Sequence, residues 1–253
     1  MTKLSALIIT YNEERHIARC IDSLLPVADE IIVVDSYSTD RTKEICKSKN
    51  VLFIEHTFKG HIEQKNFAVS QSSNDYVLSL DADEALSPDL QQNILEEKNN
   101  FQQDAYVFNR LNNYCGQWIK YCGWYPDAKL RLWNKNKGKW AGENPHDKVV
   151  LTSGAPAKKL KGDLLHYSFS SVEEHLQQIQ LFTNISSEAA YKNGRRSNLL
   201  KIIFKPIFKF LRDYIFKLGF LDGYYGFVIC VNSAFAKYLK FLKLYEIQRK
   251  AGK

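Results

Sequence analysis

Two aspartates that follow an apolar run have the type and spacing of a divalent-cation site. Asp81 and Asp83, separated by Ala82, come directly after residues 77–80, which read Val-Leu-Ser-Leu. Carboxylates at this spacing can bind Mg²⁺ or Mn²⁺ through their oxygens. The cation would bridge a diphosphate and neutralise the charge of a leaving nucleotide. Taken alone, the same residues could simply cap a turn, and the functional interpretation depends on the two other polar groups described next.

Two further polar groups stand at equivalent places in the chain. Thr10, Asn12 and Glu13 follow the apolar residues 4–9, and Asp35 begins the polar run 35–40 that follows residues 30–34. If these apolar runs are parallel strands, all three polar groups meet at one edge of the sheet. Asp35 would then be placed to accept hydrogen bonds from a nucleoside, as acids at such strand ends do.

The elements that must position these residues alternate between strands and helices. Strands are predicted at residues 4–9, 30–34, 51–54 and 76–80, and helices at residues 13–25, 40–49, 62–71 and from Ser87-Pro88 onward. This alternation predicts an α/β fold with a mostly parallel sheet covered by helices on both faces. Residues 105–161 are less regular, with further strands and long loops, and the chain is mostly helical from residue 172.

Composition and missing motifs exclude several classes of protein. No G-x-G-x-x-G follows the first strand, which argues against a dinucleotide enzyme, and no P-loop lysine motif is present. A nucleotidyltransferase would normally carry a glycine- and arginine-rich loop there. The five cysteines include no C-x-x-C pair, so a disulfide framework or a thiolate zinc site is not expected and a reducing compartment is. The N-terminal residues do not have the pattern of a signal peptide.

Three motifs together give a specific resemblance. The runs L-I-I-T-Y-N-E-E, V-V-D-S-Y-S-T-D-R-T and L-S-L-D-A-D-E, in this order and spacing, resemble glycosyltransferase family 2 enzymes with the GT-A fold. Within that family the chain looks closest to the lipopolysaccharide core β-1,4-glucosyltransferase group, on the evidence of G-W-Y-P-D, R-L-W, G-x-x-P-H-D and L-G-F-L-D-G-Y-Y-G. The resemblance implies a catalytic domain over residues 1–170, with a nucleotide-sugar half (1–104) and an acceptor half (105–170). Residues 171–253 would form a helical, basic extension.

The resemblance implies inverting transfer of a hexose, glucose from UDP-glucose, to a lipid-linked saccharide of the lipopolysaccharide core. A polyprenyl-phosphate glycosyltransferase is the alternative enzyme. A membrane-associated adaptor built on an inactive transferase fold is disfavoured because the acidic motifs are intact.

Roles for single residues follow from the same resemblance. Thr10, Asn12 and Glu13 would line the nucleotide pocket, and Asp35 would contact the uridine or ribose. Lys65 stands where the family places a basic residue near the donor, although it could be a solvated surface lysine.

Two other residues could complete the donor site. Arg131 could face the diphosphate, since arginine binds phosphate bidentately, or lie at the rim of the core. His166 would join Asp83 and Asp81 at the metal, or be structural. The cofactor would be Mg²⁺ or Mn²⁺.

An inverting mechanism needs a carboxylate base within hydrogen-bond reach of the acceptor hydroxyl. Asp147 is the favoured base and Glu143 the alternative, both in A-G-E-N-P-H-D. Related enzymes more often have His-Glu where this chain has His146-Asp147, and the shorter side chain reduces the reach. Both carboxylates could instead stabilise a loop through local hydrogen bonds.

The C-terminal part carries the excess charge. Residues 199–250 contain ten Lys and Arg against three Asp and Glu, while the whole chain has a net charge of +7. Lys201, Lys205, Lys209 and Arg212 share one helical face beside many apolar residues, and Pro206 should kink or delay this helix. We expect a peripheral helix on an anionic membrane, on the cytoplasmic side, rather than nucleic-acid binding. A core-packing or dimer helix is the alternative.

Overall fold

The computed structural model describes residues 2–143, 146–152, 154 and 157–251, without the side chains of Glu143 and His146. The chain divides into two compact units. The first comprises Met1–Leu111 and Asp127–Tyr167, and the second comprises Asn112–Pro126 and Ser168–Lys253. The second unit therefore includes residues 112–126 in addition to the C-terminal helices that the sequence predicts.

The N-terminal half of the first unit is a parallel α/β layer. Its four strands lie in the order β3-β2-β1-β4. They are rich in Ile, Leu and Val because helices cover both faces of a parallel sheet. The strands are β1 (Leu4–Thr10), β2 (Glu30–Asp35), β3 (Leu52–Glu55) and β4 (Tyr76–Asp81), with helices α1 (Ile17–Leu24), α2 (Thr42–Ser48) and α3 (His61–Gln71) between them.

The sheet continues past β4 in the order β8-β6-β11-β5, and the β4–β8, β8–β6 and β11–β5 pairs are antiparallel. No helix separates the described residues of β6, β7 and β8, and such direct connections favour antiparallel pairing. The elements are β5 (Glu84–Leu86), α4 (Pro88–Lys98), β6 (Ala105–Tyr114), β7 (Gln117–Ile119), β8 (Asp127–Asn134) and β11 (Lys158–Phe169), and a separate hairpin is formed by β9 (Gly138–Glu143) and β10 (His146–Leu151).

Strand register brings the three polar loops to one edge of the sheet. Thr10 is opposite Asp35 across the β1–β2 pair, and Ile9 is opposite Asp81 across the β1–β4 pair. The buried residues of β1 alternate between two cores: Leu4, Ala6 and Ile8 pack on one face of the sheet, and Leu7 packs on the other. This period of two fixes the register of the central strand, and with it the position of the edge.

Helix α1 begins four residues later than the sequence pattern predicts, at Ile17 instead of residue 13. The residues before it are held by the loop after β2. The backbone N–H of Glu13 donates to Thr42 Oγ1 at 2.9 Å, and that of Glu14 donates to Asp40 Oδ2 at 3.0 Å. Asp40 also accepts from the backbone N–H of Thr42 at the start of α2. These bonds tie the first polar loop to the second.

The second unit consists of long helices and the β6–β7 turn. Its core surrounds Tyr114, whose hydroxyl lies 3.0 Å from His175 Nδ1, and burial lowers the pKa of His175 to about 4. Asp222 accepts hydrogen bonds from the backbone N–H groups of Lys120 and Tyr121, which joins residues 112–126 to the helices. The helices are α5 (Val172–Lys192), α6 (Leu199–Leu211) and α7 (Gly223–Ala251), with a π-helical turn at Arg212–Phe216 and a 3₁₀ turn at Gly219–Asp222.

Helix α6 runs through Pro206 without ending there, and Asn198 caps its start by accepting from the backbone N–H of Lys201. In the described part of the chain, no individual helix is long and apolar enough to cross a bilayer. The pair Leu199–Phe216 and Gly219–Ala251, which is bent by 72°, meets that criterion of length and composition only when taken together.

Gly162 provides a test of the packing between β11 and α4. Its φ is +86°, and a Cβ added there would lie 2.7 Å from Leu90 Cα and closer still to Leu90 N. Gly162→Ala should therefore lower the free energy of unfolding by more than about 3 kcal/mol. Gly194→Ala is the matched control, because Gly194 has φ +71° and its added Cβ meets no described heavy atom within 4 Å. That change should cost about 1–2 kcal/mol. Equal losses in the free energy of unfolding for the two variants, measured in urea, would contradict the tight packing of Gly162 against α4.

Candidate active site

Asp81 is held between two cations at the end of β4. Its Oδ1 lies 2.9 Å from Lys65 Nζ, and its Oδ2 lies 2.9 Å from Arg131 Nη2. Burial acts to raise the pKa of Asp81, but the positive charges of Lys65 and Arg131 outweigh it and keep the pKa well below its usual range. Asp81 therefore stays ionised at any physiological pH.

Glu84 bonds both Asp81 and its partner Arg131, a role that was not predicted from the sequence. Its Oε1 accepts from Arg131 Nη2 at 2.8 Å, and its Oε2 accepts from the backbone N–H of Asp81 at 3.0 Å. Arg110 on β6 approaches the same carboxylate at 3.5 Å. Glu84 is buried. The only sequence signal is an acid inside the short strand that directly follows the D-x-D motif.

Asp83, in the turn between β4 and β5, meets His166 on β11, the strand that pairs with β5. His166 Nε2 lies 3.1 Å from Asp83 Oδ2. The backbone fixes this approach, because the N–H of Tyr167 donates to the carbonyl of Asp83 at 2.9 Å and His166 is opposite Glu84 in the β11–β5 pair. An imidazole and a carboxylate, 83 residues apart in sequence, are thus presented together.

Lys65 links the D-x-D motif to the β9–β10 hairpin. Its ammonium is 2.8 Å from Asp147 Oδ2 and also contacts Asp81, so one cation is shared by two carboxylates. Lys65 is buried, which decides against a solvated surface position. The ring of Trp140 lies 4.4 Å from Lys65 Nζ, and the Asn66 side chain fixes Trp140 by bonding both its backbone N–H and its carbonyl.

The first two loops are bonded to each other around Asp35. The buried Asp35 carboxylate accepts from the backbone N–H and the hydroxyl of Ser38. Asn12 has φ +54°, and its Oδ1 accepts from the backbone N–H of Thr39 at 2.8 Å. The hydroxyl of Thr10 is buried with no hydrogen-bond partner among the described residues. These bonds hold the loops after β1 and β2 together, and the Thr10 hydroxyl at the end of β1 has no described partner.

The pKa of Glu13 reflects its burial and the negative charges around it. Its pKa is raised to about 7, first by burial and then by the charges of Asp83, Asp40 and Asp81. The carboxylates of Asp83, Asp40 and Asp81 therefore add to the effect of burial, and a divalent cation bound near them would oppose their contribution.

These donors fit Mg²⁺ or Mn²⁺ in type. Asp83 offers carboxylate oxygen and His166 an imidazole nitrogen, while both oxygens of Asp81 already accept from cations. Within the described residues, no three His, Cys, Asp or Glu side chains form a group that could hold a metal ion by themselves. Oxygens of a bound diphosphate would therefore have to complete the coordination of the metal ion, as is common at Mg²⁺ sites.

The structure brings most of the predicted site residues to the same edge of the first unit. Contacts join Lys65, Asp81, Arg131 and Asp147, and a second contact joins Asp83 and His166. The side chain of Glu143 lies outside the described residues. Trp133 and Trp140 are buried in the core of the first unit, and Trp124 packs in the core of the second.

Comparison with known proteins decides the family. Residues 5–155 match the family described as Glycosyl transferase family 2. The chain belongs to glycosyltransferase family 2. Its mixed sheet flanked by helices is the GT-A fold, and the resemblance read from the three motifs is confirmed.

Relatives of this glycosyltransferase extend over nearly its whole length. An uncharacterized glycosyltransferase of Rickettsia typhi is 33% identical over 99% of this chain and 89% of its own. The lipopolysaccharide core biosynthesis glycosyltransferase LpsC of Rhizobium meliloti is 28% identical over 96% of this chain and 92% of its own. Among solved structures, TarS of S. aureus gives a TM-score of 0.48 at 17% identity, covering 73% of this chain and 40% of that one.

Glu13 should make the stability of the glycosyltransferase depend on pH. Between its ordinary pKa of 4.5 and the raised value of about 7, the native protein keeps a proton that the unfolded chain releases. The free energy of unfolding therefore falls as pH rises through this window and levels off above it. Glu13→Gln removes this contribution. Urea midpoints of both proteins, measured with EDTA from pH 4.5 to 8, should diverge in favour of the variant up to about pH 7; parallel curves would contradict the raised pKa.

Proposed function

We propose that this family 2 glycosyltransferase transfers glucose from UDP-glucose, with inversion, to a lipid-linked saccharide of the lipopolysaccharide core. One observation carries the chemistry: Lys65 binds Asp81 and Asp147 with the same ammonium group. This contact supports the proposal, because it brings Asp147, the assigned base, next to Asp81 of the D-x-D motif. Donor leaving group and acceptor hydroxyl would have to meet at such a place.

The nucleotide is assigned to the rim formed by the loops after β1 and β2. Asp35 is held at its strand end by Ser38, and the unpartnered hydroxyl of Thr10 is available for a ligand. Asn12 fixes the two loops to each other, so the pocket is formed before the donor arrives. We assign Glu13 to the same pocket, close enough to the acidic motif for Asp83 and Asp81 to affect its pKa.

The metal is assigned to Asp83, with His166 beside it and Asp81 assisting. A bound Mg²⁺ or Mn²⁺ would neutralise the diphosphate as the nucleotide departs. Arg131 is assigned to orienting Asp81, because its guanidinium is bonded to Asp81 and to the buried Glu84. Its Nε is buried without a described partner, which leaves one donor for the diphosphate.

Asp147 is assigned as the base that removes the proton from the acceptor hydroxyl. Its carboxylate is mostly buried and is oriented by Lys65. An ordered carboxylate gives a base of fixed direction, which general base catalysis requires. Glu143, four residues upstream, is the competing assignment.

The acceptor class rests on LpsC of Rhizobium meliloti, whose name places it in lipopolysaccharide core biosynthesis and which aligns with this chain from end to end. The direct test supplies radiolabelled UDP-glucose, UDP-galactose or GDP-mannose with lipopolysaccharide from a strain lacking this chain. Label from UDP-glucose should enter the lipopolysaccharide, with the other donors giving little. Transfer from another donor alone would contradict the assignment of glucose, and transfer only to a polyprenyl phosphate would contradict the acceptor.

Asp83→Asn should weaken UDP binding at least about tenfold when Mn²⁺ is present. The amide keeps the size of the side chain but removes the charge that binds a cation. Calorimetry of UDP binding, with Mn²⁺ and again with EDTA, measures the change. The variant and the wild type should have similar affinities in EDTA. Equal affinities in Mn²⁺ would overturn the metal assignment.

Asp147→Asn should reduce glucose transfer by at least about 100-fold, since general base catalysis contributes roughly 10²–10⁴-fold. The amide oxygen still accepts from Lys65, so UDP affinity should change little. Initial rates of transfer and UDP calorimetry give the two readouts. Glu143→Gln is the control and should retain most activity. If the control shows the large loss instead, the base is four residues upstream.

A further inference from the structure

Helix α6 presents a row of large apolar side chains to the outside of the second unit. Only Ile202 of this helix is buried. Seven apolar residues are between 41% and 65% exposed; we call them the apolar face: Leu199, Leu200, Ile203, Phe204, Ile207, Phe208 and Leu211. The exposed row continues past the helix with Ile215, Phe216, Leu218, Phe220 and Leu221. Contiguous apolar surface of this extent marks an interaction site, because water solvates it poorly.

The surroundings of the apolar face are basic. Residues 195–221 contain seven Lys and Arg and one acid, Asp213. That acid is buried and is bonded to Lys209 and Arg212, so it offers no negative charge to the outside. On the neighbouring helix α7, burial and then the charges of Lys240, Lys209, Arg212 and Lys205 lower the pKa of Lys237. The region therefore has an uncompensated positive potential.

We propose that the apolar face docks into the surface of a lipid bilayer rich in anionic phospholipid. Phe204 and Phe208 enter the boundary between headgroups and acyl chains, and the basic residues bind the headgroups beside them. Apolar side chains flanked by Lys and Arg are the composition of helices that lie in a membrane interface. This inference concerns the second unit and is independent of the donor and acceptor proposed above.

The positive charge around the apolar face favours a membrane over a second copy of the chain as its partner. Two copies meeting through this face would bring two surfaces of the same sign together, which repel. An anionic leaflet has the complementary sign, and each Lys or Arg near it strengthens binding by about fivefold. The apolar and the charged contacts are then satisfied by the same partner.

Helix α6 by itself is too short to cross a bilayer. The 13 residues of α6 extend about 20 Å at 1.5 Å per residue, which is less than the hydrocarbon thickness of about 30 Å. The segment Leu199–Phe216 then meets the following helical segment at a bend of 72°. Tyr224, Phe227 and Val231 on α7 are exposed at helical spacing and extend the apolar surface past this bend.

The structure also changes which residues are expected to contribute most to membrane binding, compared with the expectation from sequence. Lys209, expected from sequence to face headgroups, is bonded to Asp213, and the Lys201 ammonium donates to the carbonyl of Arg196 at 2.7 Å. The basic row is therefore partly engaged within the unit. The exposed aromatic residues of the apolar face are the larger part of the contact.

The test is flotation of the full-length protein with vesicles of phosphatidylcholine, with or without 40% phosphatidylglycerol taken as a nominal, roughly bacterial fraction. We expect the wild type to float with the anionic vesicles only and to be largely released by 1 M salt, where charge screening shortens to about 3 Å. Phe204→Glu combined with Phe208→Glu should lower the bound fraction at least about tenfold. Leu25→Glu, at a similarly exposed apolar position in the first unit, is the matched control and should float like the wild type.

Thermal unfolding of both variants should match the wild type, since the substituted side chains are exposed. Absence of flotation with anionic vesicles would overturn the proposal. So would equal loss of binding in the Leu25→Glu control, or a concentration-dependent dimer that only the phenylalanine variant abolishes.

Discussion

The geometry of the candidate active site depends on how the carboxylate of Asp81 is neutralised. Lys65 and Arg131 each bond one of its oxygens, and Glu84 in turn bonds Arg131 and the backbone of Asp81. Removing charges from water is costly, and a buried pair is tolerated only when its remaining groups are satisfied. This network meets that condition because its charges alternate in sign along the chain of contacts from Glu84 through Arg131, Asp81 and Lys65 to Asp147. The same contacts fix the geometry of the loop that carries Asp83.

The network also explains how distant parts of the chain are combined into one site. Lys65 comes from α3, Arg131 from β8 and Asp147 from β10, so parallel and antiparallel parts of the first unit converge on β4. Trp140 covers both cations, at 4.4 Å from Lys65 Nζ and 5.4 Å from Arg131 Cζ. A ring above the cations lowers the access of water and strengthens the charge interactions below it. Asp83 lies outside this network and contacts His166, the pair to which the metal ion is assigned.

Much of this arrangement could be predicted from local patterns. Apolar runs of strand length separated by helical patterns predict the parallel strands, and the polar residues after each run therefore predict the shared edge. Partners that are far apart in sequence could not be predicted, because charge sign alone does not choose among many lysines and aspartates. Lys65 and Asp147 are 82 residues apart. The position of residues 112–126 in the second unit likewise depends on Asp222 accepting two backbone N–H groups, a contact without sequence periodicity.

From the contacts of Glu84 with Arg131 and Asp81 we infer that Glu84 acts on the donor site through these two residues. A double-mutant cycle tests it most directly, with UDP affinity in Mn²⁺ measured for the wild type, Glu84→Gln, Asp81→Asn and the double variant. Residues of one network have strongly non-additive effects. We predict that Glu84→Gln weakens binding in the wild-type background and has almost no effect once Asp81 is replaced. Additive losses would contradict the claim, because Glu84 would then influence the donor by a route that does not involve Asp81.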